Sequence, residues 1–120
     1  MIGPKAIIHL DRLKTNYDLV KKQVGNKPIM AVVKANGYGH GSIACAKALE
    51  SHGCDYFSVF TMDEGIELRR AGIKSDILVF SRMDTARFAQ AINDNLTLNI
   101  SHVKDQSALI SYYKIHGQCP

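Results

Sequence analysis

Residues 31–41 read Ala31-Val32-Val33-Lys34-Ala35-Asn36-Gly37-Tyr38-Gly39-His40-Gly41. An apolar run closes on a lysine, three glycines alternate with Tyr38 and His40, and a stretch with helical spacing follows. This is a strand, a turn and a helix in succession. The same step recurs along the chain. Short apolar strands are expected at 29–33, 56–60, 77–80 and 96–100, with helical stretches between them. Leu13, Tyr17, Val20 and Val24 form a stripe at a period near 3.6 residues, as do Phe88, Ala89 and Ile92, and later Val103, Ile110 and Tyr113.

The punctuation agrees with that division. Asp11 is placed to cap the first helix, and Thr61 with Glu64 three residues on reads as a capping box. Gly25, Gly53, Gly72 and Gly117 stand where helices should stop. Strands that alternate with helices imply a parallel sheet with helical crossovers. Two architectures fit: part of a (β/α)8 barrel, or a small flavodoxin-like doubly wound sheet. A full barrel takes about 250 residues, so the 120 of this chain supply about four βα units. After Gln118-Cys119-Pro120 a fifth strand is due, and the expectation is a chain that continues. A further strand at 6–10 precedes the first helix, and its place in a sheet is not fixed by pattern.

Composition narrows the function classes. The hydrophobic fraction is 46% and the charged fraction 22%, ordinary for a globular protein. No apolar run reaches the roughly 18 residues of a membrane helix, and the start lacks a secretory signal, so the expectation is a cytoplasmic protein without membrane contact. Cys45, Cys54 and Cys119 show no paired spacing and are expected as free thiols. The net charge is +4, but the basic residues are dispersed, which argues against a nucleic-acid partner. His9, His52, His102 and His116 show no metal-ligand spacing, and no metal is expected. No G-x-S-x-G elbow occurs, and Asp63 with Glu64 sits at a helix start, where the charge suits the dipole.

In α/β folds the carboxyl ends of parallel strands face the ligand, so Lys34 is the candidate catalytic residue. An amine beside apolar surroundings becomes a better nucleophile towards carbonyls. The glycines let the backbone approach a ligand, the following helix start favours an anion, and Tyr38 offers a hydroxyl. That set suits an aldehyde cofactor bearing a phosphate. A lysine that merely snorkels from a strand end, beside glycines that serve a tight turn, fits the spacing equally. His40 either donates towards a phosphate or makes local contacts at the helix start. A dinucleotide fingerprint needs G-x-G-x-x-G; here Ser42 holds the third glycine's place.

The string AVVKANGYGHG resembles the cofactor motif of the alanine racemase family, usually VKA[DN]AYGHG. The likeness continues at 6–16, where Ala6-Ile7-Ile8-His9-Leu10-Asp11 is followed by Leu13 and Asn16. It extends through 57–65, through Leu68-Arg69-Arg70-Ala71-Gly72-Ile73 and through Ile77-Leu78-Val79-Phe80. The resemblance implies a two-domain homodimer with an N-terminal barrel and a C-terminal β-domain, which the opening strand joins. Residues 1–11 would be that strand and 12–120 the first portion of the barrel. Lys34 would hold pyridoxal 5'-phosphate covalently, Tyr38 would hydrogen-bond its phosphate, and Leu78 and Phe80 would line its pocket. The implied activity interconverts L-alanine and D-alanine, the latter for the cell wall, with Lys34 as base on one face and a tyrosine of the partner subunit on the other. That second base, the group at the pyridine nitrogen and most phosphate ligands fall downstream in the family. The present chain alone would then be a poor catalyst. Gly37 departs from the motif's usual alanine. Another pyridoxal-phosphate barrel of the same fold type (a racemase of a different amino acid, a decarboxylase or an aldolase) and a non-catalytic α/β binding module are the alternatives.

Overall fold

The computed structural model describes residues 3–120. Helix α1 spans Leu10–Val24 and is followed by strand β1, Met30–Val32. Helix α2, Ser42–Ser51, leads to β2, Tyr56–Val59. Helix α3, Met62–Arg70, leads to β3, Asp76–Arg82. A 3-10 turn at Thr85–Arg87 runs into α4, Phe88–Asn93, then β4, Thr97–Asn99, and α5, Val103–His116.

All four strands are parallel, in the order β1-β2-β3-β4. That order decides between the two architectures. A doubly wound sheet reverses its strand order at a switch point and carries helices on both faces. This sheet runs strictly in sequence. Alternation puts Phe57, Val59, Ile77 and Val79 on one face, where they are buried with Leu49, Ile66 and Leu68 from the helices. The opposite face carries Met30, Val32, Tyr56 and Phe60, all exposed, with Leu78 and Phe80 half-buried. Helices on one side and consecutive parallel strands are a segment of a (β/α)8 barrel.

Local chemistry explains most element boundaries. Thr61 accepts from the Glu64 N–H at 3.1 Å and the Glu64 carboxylate accepts from the Thr61 N–H at 2.8 Å, the expected capping box. Gly25, Gly53, Gly72 and Gly117 all take positive φ at or just past helix ends, as expected.

Several expectations are corrected. Residues 6–9 form no strand; with no neighbouring strand to bond to, an extended segment builds no ladder, and α1 already begins at Leu10. Asp11 is therefore not the cap but a first-turn residue, and the N-cap is His9 without a side-chain bond. Val20 leaves the α1 stripe and is exposed, while Leu13, Tyr17 and Val24 are half-buried. In α4 the buried residues are Phe88 and Ala91, and Ala89 is exposed. In α5, Val103, Ile110 and Tyr113 are exposed, and Asp105 with Tyr112 faces the protein. Tyr112 packs edge-on against Phe88 at 5.3 Å. Apolar residues surround α5 on every side, so its spacing does not define one face.

Candidate active site

The β1–β2 ladder stops just short of Lys34. Its last bond runs from the Val33 N–H to the Ser58 carbonyl, at 2.9 Å. Four successive residues then take the left-handed conformation: Ala35 (φ 51), Asn36 (φ 53), Gly37 (φ 63) and Tyr38 (φ 55). Three are not glycine; Ala35 and Tyr38 each cost roughly 1–2 kcal/mol in that region, and Asn36 costs less. Strain of this kind persists only where surrounding contacts over-determine it. The Gly37 N–H bonds the Val33 carbonyl at 2.9 Å, and the Gly41 N–H bonds the Asn36 carbonyl at 2.9 Å. The Asn36 side chain accepts from the Ser42 N–H at 3.1 Å. The Ala35 N–H donates to Glu64 Oε2 at 2.7 Å.

Within this turn Lys34 is half-buried at the carboxyl end of β1. Its amine makes no ion pair and no hydrogen bond among the described residues. Tyr38 lies four residues on, 59% exposed, and its hydroxyl likewise bonds nothing among them. Leu78 and Phe80 sit two strands away on β3. The register Val32↔Ser58↔Leu78 and the alternation of strand side chains put them on the face that carries Val32. The structure thus brings Lys34 and Tyr38 into one turn and sets Leu78 and Phe80 across the same open face.

A cavity of about 500 Å³ borders the turn on its α1 side. Gly37, Tyr38 and His40 line it together with Val32 and Arg12. Lys34 is not among its lining residues, so this opening follows the free edge of β1 rather than the lysine itself. His40 Nδ1 meets the Gly37 carbonyl at 3.0 Å, which answers for the ring by a local contact. The start of α2 is partly committed too, because Asn36 occupies the Ser42 N–H. A Cβ at Gly37 would stand 3.2 Å from the Ser42 nitrogen. An alanine, usual in the motif, therefore requires the start of α2 to shift by a few tenths of an ångström.

The carboxylate nearest the Lys34 turn is one that sequence spacing marks only as a helix cap. Glu64 is half-buried and serves its own helix, but its carboxylate also crosses to the Lys34 turn. Oε1 accepts from the N–H groups of Phe60 at 3.0 Å and Thr61 at 2.8 Å, and Oε2 accepts from Ala35. Spacing predicts the capping box but carries no signal for the second reach, which depends on β1 and β2 lying side by side.

The donor set fits a phosphorylated aldehyde. It offers one unpaired primary amine at a strand end, one unpaired phenol in the same turn, and an apolar surface from Val32, Phe60, Leu78 and Phe80 on which a ring can lie. Cys45 and Cys54 are buried and Cys119 exposed, all three free. Among the described residues no group of three His, Cys, Asp or Glu side chains is placed to hold a metal ion, and no helix is long and apolar enough to cross a membrane.

Comparison with known proteins gives a consistent picture. The family described as "Alanine racemase, N-terminal domain" matches residues 8–118. The alanine racemase of Macrococcus caseolyticus is 43% identical over 97 residues, covering 81% of this chain and 26% of that relative. "Alanine racemase 1" of Caldanaerobacter subterraneus is 42% identical over 98 residues, covering 81% of this chain and 25% of that protein. Among solved structures, alanine racemase of Clostridium difficile 630 superposes with a TM-score of 0.83 at 32% identity, over 91% of this chain and 29% of that one. A histidine racemase from Leuconostoc mesenteroides superposes with a TM-score of 0.82 at 26% identity, over 92% of this chain and 29% of that one. The chain thus spans between a quarter and three tenths of the length of these relatives.

Proposed function

Because this chain belongs to the alanine racemase N-terminal domain family, we propose that it is the cofactor-holding part of a pyridoxal-phosphate-dependent alanine racemase. Residues 12–120 form the first portion of the barrel, and residues 1–11 lead into it from a second, β-rich domain. The rest of the barrel and that domain lie outside this sequence, so the present chain by itself is a poor catalyst. The complete protein is a cytoplasmic homodimer that interconverts L-alanine and D-alanine and supplies D-alanine for the cell wall.

One observation carries the reading: Lys34 stands just past the carboxyl end of β1, half-buried, with an amine that no carboxylate or carbonyl engages among the described residues. Such an amine is available both for a covalent bond to an aldehyde and for proton transfer. Lys34 would hold the cofactor through its amine, and the same amine would take or return the substrate Cα proton on one face. Tyr38 donates its hydroxyl hydrogen to a phosphate oxygen. Leu78 and Phe80 flank the ring and keep water from it. When bound, pyridoxal phosphate delocalises the electron pair that deprotonation leaves on Cα. A second base on the opposite face, supplied by the partner subunit, completes the inversion.

A second reading, a racemase for another amino acid, draws on the likeness to the histidine racemase. The test is turnover of the complete protein with separate L-amino acids, read by chiral chromatography. Racemisation of alanine, lost by roughly a thousandfold or more in Lys34→Ala, is expected. Turnover of histidine and not alanine would replace the substrate, and normal turnover by Lys34→Ala would remove the assigned role.

A further inference from the structure

The seam between β1 and β2 ends in an unusual way. After the Val33–Ser58 bond the next inward donors past the two strands are the Ala35 and Phe60 N–H groups. Neither finds a ladder partner. Both go to the two oxygens of one side chain, Glu64, at 2.7 and 3.0 Å.

We propose that Glu64 is a positioning residue, whose carboxylate clamps the Lys34 turn to the β2–α3 turn and so fixes where the Lys34 amine stands. The inference rests on the cofactor role proposed for Lys34. Ala35 directly follows Lys34 and is the first of the four left-handed residues. Its N–H belongs to the peptide that joins the two residues. Holding that N–H fixes the orientation of this peptide, and with it the direction in which the lysine leaves the strand. The strained turn has other internal bonds, made by Gly37, Gly39, Gly41 and Asn36, but these tie it to itself, to β1 and to α2. Glu64 provides the link to β2 and α3. Its own position is set twice, by the Thr61 capping box and by the Phe60 N–H. Proton transfer tolerates little misplacement, and a displacement of about 1 Å costs roughly a hundredfold in rate.

The experiment uses the complete holoenzyme with Glu64→Gln, Glu64→Asp and Thr61→Ala. Gln turns one accepting oxygen into an NH2 that cannot accept. Asp keeps the charge at the helix start but falls a methylene short of Ala35. Thr61→Ala weakens the same helix cap, by the same class of stability loss, and leaves the Ala35 link intact. The expected result is a ten- to hundredfold fall in kcat for both Glu64 variants, with KM for alanine within about twofold and Thr61→Ala near wild type. A second measurement needs no turnover: amide hydrogen exchange at Ala35 should quicken by about tenfold or more in the Glu64 variants and not in Thr61→Ala. Glu64 variants that match Thr61→Ala in kcat and in Ala35 exchange would overturn the clamp, as would equal loss in all three. If borohydride leaves no cofactor on Lys34 in the wild-type holoenzyme, the cofactor reading fails, and the positioning role falls with it.

Discussion

Asn36 caps the helix that follows it while standing in a left-handed conformation: its side-chain oxygen accepts from the Ser42 N–H at 3.1 Å, and its φ is 53°. Asparagine is among the few residues that tolerate that region and can satisfy an orphan amide at a helix start. Both properties are used at one position. Asn36→Ala removes both, and a loss of about 2 kcal/mol in unfolding free energy is expected from urea titration. Asn36→Gly should recover the conformational part alone, and Asn36→Asp nearly all of it.

Arg69 holds the far end of the sheet. Its guanidinium donates to the carbonyls of Ser75 at 2.7 Å, Ile73 and Asp94 at 2.8 Å, and Asn95 at 2.9 Å. These acceptors lie on the turns before β3 and β4. A planar fork can serve such a fan, and a lysine ammonium cannot. Arg69→Ala is expected to lower stability by about 3 kcal/mol, and Arg69→Lys to restore less than half of that, both read from urea midpoints.

Two carboxylates set the acid limit. Burial pushes Glu50 up, but the Ser75 hydroxyl at 2.6 Å, the N–H groups of Ser75 and Lys74, and Arg69 outweigh it and hold the group below its ordinary value. Asp105 is likewise pushed up by burial and brought below its ordinary value by the Ser101 N–H, by Arg82 and by the His102 N–H. In both cases the unfolded chain binds more protons at low pH. The stability they contribute is therefore present above the ordinary carboxylate range, near pH 4, and is lost as the pH falls through the lower folded values. Urea midpoints should be level between about pH 7 and 5 and fall below about pH 4, with a shallower fall in Glu50→Gln and in Asp105→Asn.

The fold was legible because each strand is a short apolar run closed by a turn, and because the glycines after α1, α2, α3 and α5 require positive φ. Strand order was not legible. Residues 56–60 read the same in a barrel and in a doubly wound sheet, and the choice rests on which strand lies beside which. The leading segment's place was not fixed by pattern for a related reason, since Ala6-Ile7-Ile8-His9 has strand composition but pairs with nothing among the described residues. At the site, Lys34 and Tyr38 stood out as chemistry attached to a turn. Glu64 did not, because its short-range role as a cap fully accounts for its spacing. Its contact with Ala35, 29 residues away, arises only when two parallel strands end together.

A covalent bond between Lys34 and pyridoxal phosphate is open to mass spectrometry. The complete holoprotein is reduced with borohydride, digested and mapped by peptide mass. A pyridoxyl phosphate adduct on the peptide containing Lys34, absent in Lys34→Ala, is the expected result. An adduct on another lysine, or none in a protein loaded with cofactor, would contradict the account.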